Sequence, residues 1–131
     1  MVMITEDYVS FEIAKLLKEK GFNEDIDLWY DENGEMFIHP KYDIGRNWRV
    51  RQGLEIYQCS TLQMAMKWLR DMFHLEIYPF HDAIQENNDW WYRIERHSKG
   101  CSLPEHESNV IYKTYEEACE EAIKYCLENL F

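Results

Sequence analysis

The stretch Ser60-Thr61-Leu62-Gln63-Met64-Ala65-Met66-Lys67-Trp68-Leu69-Arg70-Asp71-Met72-Phe73-His74-Leu75-Glu76-Ile77-Tyr78-Pro79-Phe80 decides the fold class, because one part reads as helix and the next as strand. Leu62, Ala65, Met66, Leu69, Met72 and Phe73 recur at spacings of three and four, which places them on one side of a helix. Met64 and Trp68 widen that stripe, so this helix is expected to be the most buried. Ser60 and Gln63 are spaced as a capping box at its start. Leu75 to Phe80 then reads as a strand paired with Asp89-Trp90-Trp91-Tyr92-Arg93-Ile94-Glu95-Arg96. Pro79 has no N–H to donate, which puts its strand at a sheet edge or near its own end.

Working outward, Ser10 to Phe22 reads as a short helix with Ser10 as N-cap, Ile13, Ala14, Leu16 and Leu17 on its apolar side and Gly21 at its end. Ile26–Tyr30 and Glu35–His39 flank Asp31-Glu32-Asn33-Gly34, where Asn-Gly marks a hairpin. Pro40 ends the second strand. Lys41 to Cys59 is a long irregular connection, within which Leu54 to Tyr57 reads as a further short strand. His97 to Lys113, with Gly100 and Pro104, reads as a long surface loop. The last helix is opened by Thr114 and Glu117 as a second capping box. Its apolar repeat is Tyr115, Ala118, Cys119, Ala122, Ile123, Cys126, Leu127 and Leu130, and its other face carries Glu116, Glu117, Glu120 and Glu121.

Thr61-x3-Ala65 and Thr114-x3-Ala118 each open a helix after a hairpin, so the second half echoes the first. The expected order is α-β-β-α-β-β-α in one α+β domain over residues 1–131, a layered α/β sandwich. Residues 10–59 supply a helix, a hairpin and the long connection, and residues 60–131 a helix-hairpin-helix part. The economical packing joins the strands into a single, mainly antiparallel sheet with helices against it.

The residues from Ser60 to Arg70, Trp90-Trp91 and Thr114-Tyr115-Glu116-Glu117-Ala118-x3-Ala122 resemble a group of short phage, prophage and mobile-element proteins of gut bacteria. The layout of capped helix, strand, Trp-bearing strand and Thr-x3-Ala helix is also similar to the phage ABA sandwich domain, over roughly Ser60 to Phe131. The resemblance implies an α/β/α layering and an accessory role in a bacterial host. It carries over no catalytic residue.

Composition narrows the function classes. With 131 residues, 25 acidic against 14 basic side chains and a net charge of −11, the chain opposes non-specific attraction to nucleic acid or anionic membrane. Its apolar runs are too short to cross a bilayer, and the acidic Met1–Asp7 lacks the layout of a signal peptide. Cys119 and Cys126 lie seven residues apart on one helix face, too far to bridge, and with Cys59 and Cys101 they make no Cys-x-x-Cys pair. Buried free thiols in a reducing cytosol are the expectation.

No nucleophile elbow, zinc-protease helix or glycine-rich phosphate loop occurs. His39, His74, His81, His97 and His106 are scattered, and His97-x3-Cys101-x4-His106 is the nearest approach to a ligand set. No catalytic residue, metal or cofactor is therefore assigned. Two surfaces remain. Lys41, Arg46, Arg49 and Arg51, set against Asp43 alone and joined by Trp48, form a basic island that can pair with phosphate and stack on bases. Trp91 follows Trp90 in a strand, so the two point to opposite sheet faces, and Trp91 is exposed if its face lacks a helix. Helices on both faces, as in the sandwich, bury both rings. The expectation is a non-enzymatic protein-binding module using Trp48, Arg49, Arg51 and Trp91, with self-association through a sheet edge or aromatic face as one form. The alternative is a nucleic-acid-associated factor using Lys41, Arg46, Arg49 and Arg51.

Overall fold

The computed structural model describes residues 7–38, 55–81 and 89–131. Among them the elements run α1 (Phe11–Glu19), β1 (Leu28–Tyr30), β2 (Met36–Ile38), β3 (Tyr57–Gln58), α2 (Leu62–Phe73), β4 (Leu75–His81), β5 (Trp90–Ser98), β6 (Cys101–Glu107) and α3 (Tyr115–Asn129). The class is α+β, with antiparallel strand pairing throughout. The strands form two three-stranded sheets, ordered β2-β1-β3 and β4-β5-β6, in place of the single sheet expected. Each hairpin gains its third strand from its own half of the chain, which pairs one of its two edges. The chain divides into two compact units, Met1–Thr61 and Leu62–Phe131.

In the first unit, Ser10 caps α1 by accepting from the Ile13 N–H at 3.3 Å. The helix ends where the Phe22 N–H donates back to Leu17 O at 3.0 Å, which returns the Phe22 ring to the core. Ile13, Ala14 and Leu17 are buried, as are Val9, Ile26, Trp29, Tyr30 and Ile56. Each large side chain so buried contributes roughly 1.5–3 kcal/mol. The β1–β2 turn differs from a simple Asn-Gly turn. Only Gly34 has positive φ (83°), and the Asp31 carboxylate accepts from the N–H groups of Asn33 and Glu35. This is a three-residue loop with glycine at its left-handed position.

In the second unit, every buried residue of β4 and β5 (Leu75, Ile77, Tyr92 and Ile94) lies on one sheet face. α2 and α3 pack on that face. α3 buries Ala118, Cys119, Ala122, Ile123, Cys126 and Leu127, whereas α2 buries only Leu62, Ala65, Trp68 and Leu69. Met64 and Met72 of α2 are exposed, so α3 is the more buried helix. The small Ala and Cys side chains of α3 allow close approach to the sheet, and a three-stranded face has no room for the full width of the α2 stripe. The Thr114 hydroxyl accepts from the Glu117 N–H at 3.1 Å, while the Glu117 carboxylate reaches the Lys113 N–H at 3.3 Å. At the other helix start the expected box is not formed. α2 begins at Leu62, one residue later than a Ser60 cap requires, and the Gln63 amide donates to the Tyr115 hydroxyl at 3.0 Å.

The expected loop over His97–Lys113 is largely a strand. Lys99 and Gly100, with φ of 23° and 80°, make a two-residue turn from β5 into β6. A bulge between the Ile94–His106 and Glu95–Pro104 pairs leaves Glu105 as the extra residue. It switches the side-chain alternation, so His106 turns toward the helices and Pro104 away from them. Pro79 and Pro104 both sit on edge strands, where a missing donor is tolerated.

Candidate functional site

Alternation along β5 sends Trp90 to the helix side, where it meets Tyr115 edge-on with centroids 5.3 Å apart. Trp91 takes the opposite face and is half-buried. The two tryptophans are therefore separated, and Trp91 lies on the face that carries no fully buried strand residue. Register then fixes its neighbours. Phe80 stands opposite Trp91, Tyr78 opposite Arg93, and Glu76 opposite Glu95. The Phe80 and Trp91 rings are 5.0 Å apart at 30°, and the Arg93 guanidinium lies 4.9 Å from the Phe80 centroid. The result is a stack of guanidinium, phenyl and indole, all partly open to solvent.

The electrostatics of this face grade along the strands. Arg93 Nε stands 3.8 Å from Glu95 Oε1 and makes no hydrogen bond. Arg70 of α2 reaches Glu76 at 3.4 Å, and the Ser102 hydroxyl donates to Glu95 at 3.0 Å. The Tyr78 phenol is held above its ordinary pKa by burial and by the carboxylates of Glu76 and Glu95. Aromatic and arginine groups in this arrangement can take an apolar or cationic side chain from a partner.

Of the residues singled out from sequence, Lys41, Arg46, Trp48, Arg49 and Arg51 lie outside the described residues. Trp91 is the one placed, and it is joined by Phe80, Tyr78 and Arg93, which sequence reading did not select. The signal available for them was alternation from Trp91 to Arg93, but the β4 partners follow only from the pairing register.

Other chemistry-bearing groups are dispersed. Among the described residues no three His, Cys, Asp or Glu side chains gather as metal ligands. His106 stacks on Tyr125 at 3.6 Å, whereas His97 and Cys101 line a 630 Å³ open cavity with His74, Lys99 and Ser102. Cys119 and Cys126 are buried, and desolvation pushes their thiols up to about 11 and about 12. Thiols so shifted are not nucleophiles near neutral pH. In the first unit a 410 Å³ cavity is lined by Ala14, Phe22, Trp29 and Ile56, with Lys18, Asn23 and Gln58 as polar members. The Lys18 ammonium is paired with Glu55 at 2.6 Å, and the Gln58 amide exchanges hydrogen bonds with the backbone of Glu24.

No protein-family model, curated protein or solved structure matches the chain. Among the described residues no helix is long and apolar enough to cross a membrane.

Proposed function

We propose that the protein is a non-enzymatic protein-binding module, an accessory protein of the phage and mobile-element kind that its second half resembles. The observation that carries this reading is the Arg93–Phe80–Trp91 stack on the face of the second sheet opposite α2 and α3. Trp and Arg are the side chains most often found at binding hot spots, and a sheet face displaying both offers flat apolar area with a charged edge. Self-association through the same face belongs to this reading.

The test compares the tagged chain with its Trp91→Ala and Ile111→Ala variants in host extract, alongside light scattering of the purified proteins. A stoichiometric partner, or a second copy, is held by the wild type and by Ile111→Ala and lost on Trp91→Ala. The same proteins bound by all three variants would remove this face from the interaction. Retention on single-stranded nucleic acid that disappears in Arg49→Ala/Arg51→Ala would move the function to the basic island.

A further inference from the structure

The 410 Å³ cavity of the first unit is bounded by α1 and the chain just after it, by β1 and by the start of β3. Ala14, Phe22, Trp29 and Ile56 form its apolar lining, and each is no more than 7% exposed. The walls are therefore side chains of the unit's own core. Two of the polar members are already engaged. The Lys18 ammonium donates to the Glu55 carboxylate at 2.6 Å and to the Ile56 carbonyl at 3.1 Å, and lies 4.9 Å from the Tyr57 ring centroid. The Gln58 oxygen accepts from the Glu24 N–H at 2.9 Å, and its nitrogen donates to the Glu24 carbonyl. The third, the exposed Asn23 carboxamide, makes no hydrogen bond among the described residues. Beside it a Cβ on Gly21 would meet nothing within 4 Å, so the backbone leaves open space at this side of the cavity.

These features select the occupant. Buried water needs about two to four polar partners, and this lining has few that are not already paired, so displacing water with an apolar molecule is favourable. A charged ligand would lose its hydration without return, since the Lys18 ammonium is neutralised by Glu55. Phe22 and Trp29 favour a flat ring through ring–ring contact. Small-molecule pockets measure roughly 300–1,000 Å³, and this one lies at the small end of that range. We propose that the cavity binds a small, neutral aromatic molecule of one or two fused rings, with a single hydrogen-bonding substituent turned to Asn23. The inference goes beyond the protein-binding reading and is independent of it, because the cavity belongs to the first unit and the Trp91 face to the second.

The experiment titrates 2-naphthol, a neutral two-ring compound, into the full isotope-labelled chain and follows it by amide and indole NMR. 2-Naphthalenesulfonate, which keeps the rings and adds a negative charge, is the comparison. 2-Naphthol is expected to shift the N–H signals of Gly21, Asn23 and the Trp29 indole saturably, with a Kd below about 1 mM. The sulfonate is expected to leave them in place. Ala14→Leu puts extra carbons into the space and is expected to weaken binding at least about tenfold, while its Tm holds or rises. The shifts in the unmodified chain test the site whether or not that variant folds. No saturable shift, shifts centred on Trp90 and Trp91, equal binding of the sulfonate, or unchanged binding by a folded Ala14→Leu overturns the proposal. The Trp91→Ala result in host extract then stands or falls by itself.

Discussion

The imidazole of His106 lies flat on the phenol ring of Tyr125, with centroids 3.6 Å apart and planes within 5°. The contact depends on the bulge, because in a regular pairing of the same residues Glu105 would oppose Ile94 and His106 would share the face of Pro104, pointing away from α3. It ties the edge strand β6 to the helix from the inner side. Replacement by alanine is expected to cost about 0.5–1.5 kcal/mol beyond the lost area, and replacement by phenylalanine to recover most of it. Chemical denaturation of His106→Ala and His106→Phe measures both. Equal stability of all three proteins would show that the stack contributes nothing.

Gly34 is held by two independent constraints. Its φ is 83°, and a Cβ there would meet the Phe11 ring at 3.1 Å. Gly34→Ala is therefore expected to destabilise the protein by roughly 1–3 kcal/mol. Phe11→Leu in the same background relieves the close approach without changing φ, so only part of the loss returns. Full restoration would mean that the backbone conformation costs nothing.

Thiol accessibility separates the four cysteines. Cys101 is exposed at the β5–β6 turn, whereas Cys59, Cys119 and Cys126 are buried. A thiol-specific reagent at mildly alkaline pH is expected to label one cysteine quickly and the other three only on unfolding. The fast reaction should vanish in Cys101→Ser. A second fast thiol in that variant would place one of the buried cysteines nearer the surface than its packing indicates.

Alkaline pH is expected to weaken the fold. Burial raises Cys119 and Cys126 from 9.0 to about 11 and about 12, and raises Tyr92 and Tyr112 above 10.0. The unfolded chain loses these protons first, so above about pH 9 the native state binds more protons than the unfolded one and stability falls as pH rises. The contribution is fully present below pH 9 and is spent progressively as pH climbs through the native thiol values. Urea denaturation at intervals from neutral pH upward tracks the slope, and Cys126→Ala is expected to flatten it. A stability that stays level well above pH 9 would contradict these shifts.

The α1 cap at Ser10, the return of Phe22 to Leu17, the Thr114 hydroxyl at the Glu117 N–H and the apolar repeat of α3 were all legible in the sequence. Each is set within one or two turns of chain, where spacing alone decides which groups meet. β6 was not legible, because Lys99-Gly100 is an uncommon spelling of a tight turn and Pro104 reads as a breaker until its place on an edge strand is known. The division into two sheets depended on which distant strands pair, which local periodicity does not encode.

For the candidate surface the same line applies. That Trp90 and Trp91 face opposite ways follows from the period of two in any strand. Which of them meets a helix, and that Phe80, Tyr78 and Glu76 stand across from Trp91, Arg93 and Glu95, was decided by the β4–β5 register. Register is a tertiary quantity: it is selected by how Leu75, Ile77, Tyr92 and Ile94 can all be buried together beneath α2 and α3. Composition and local spacing determined the helices, their caps and the acidity of the chain, while cooperative burial of one sheet face determined the surface left on the other.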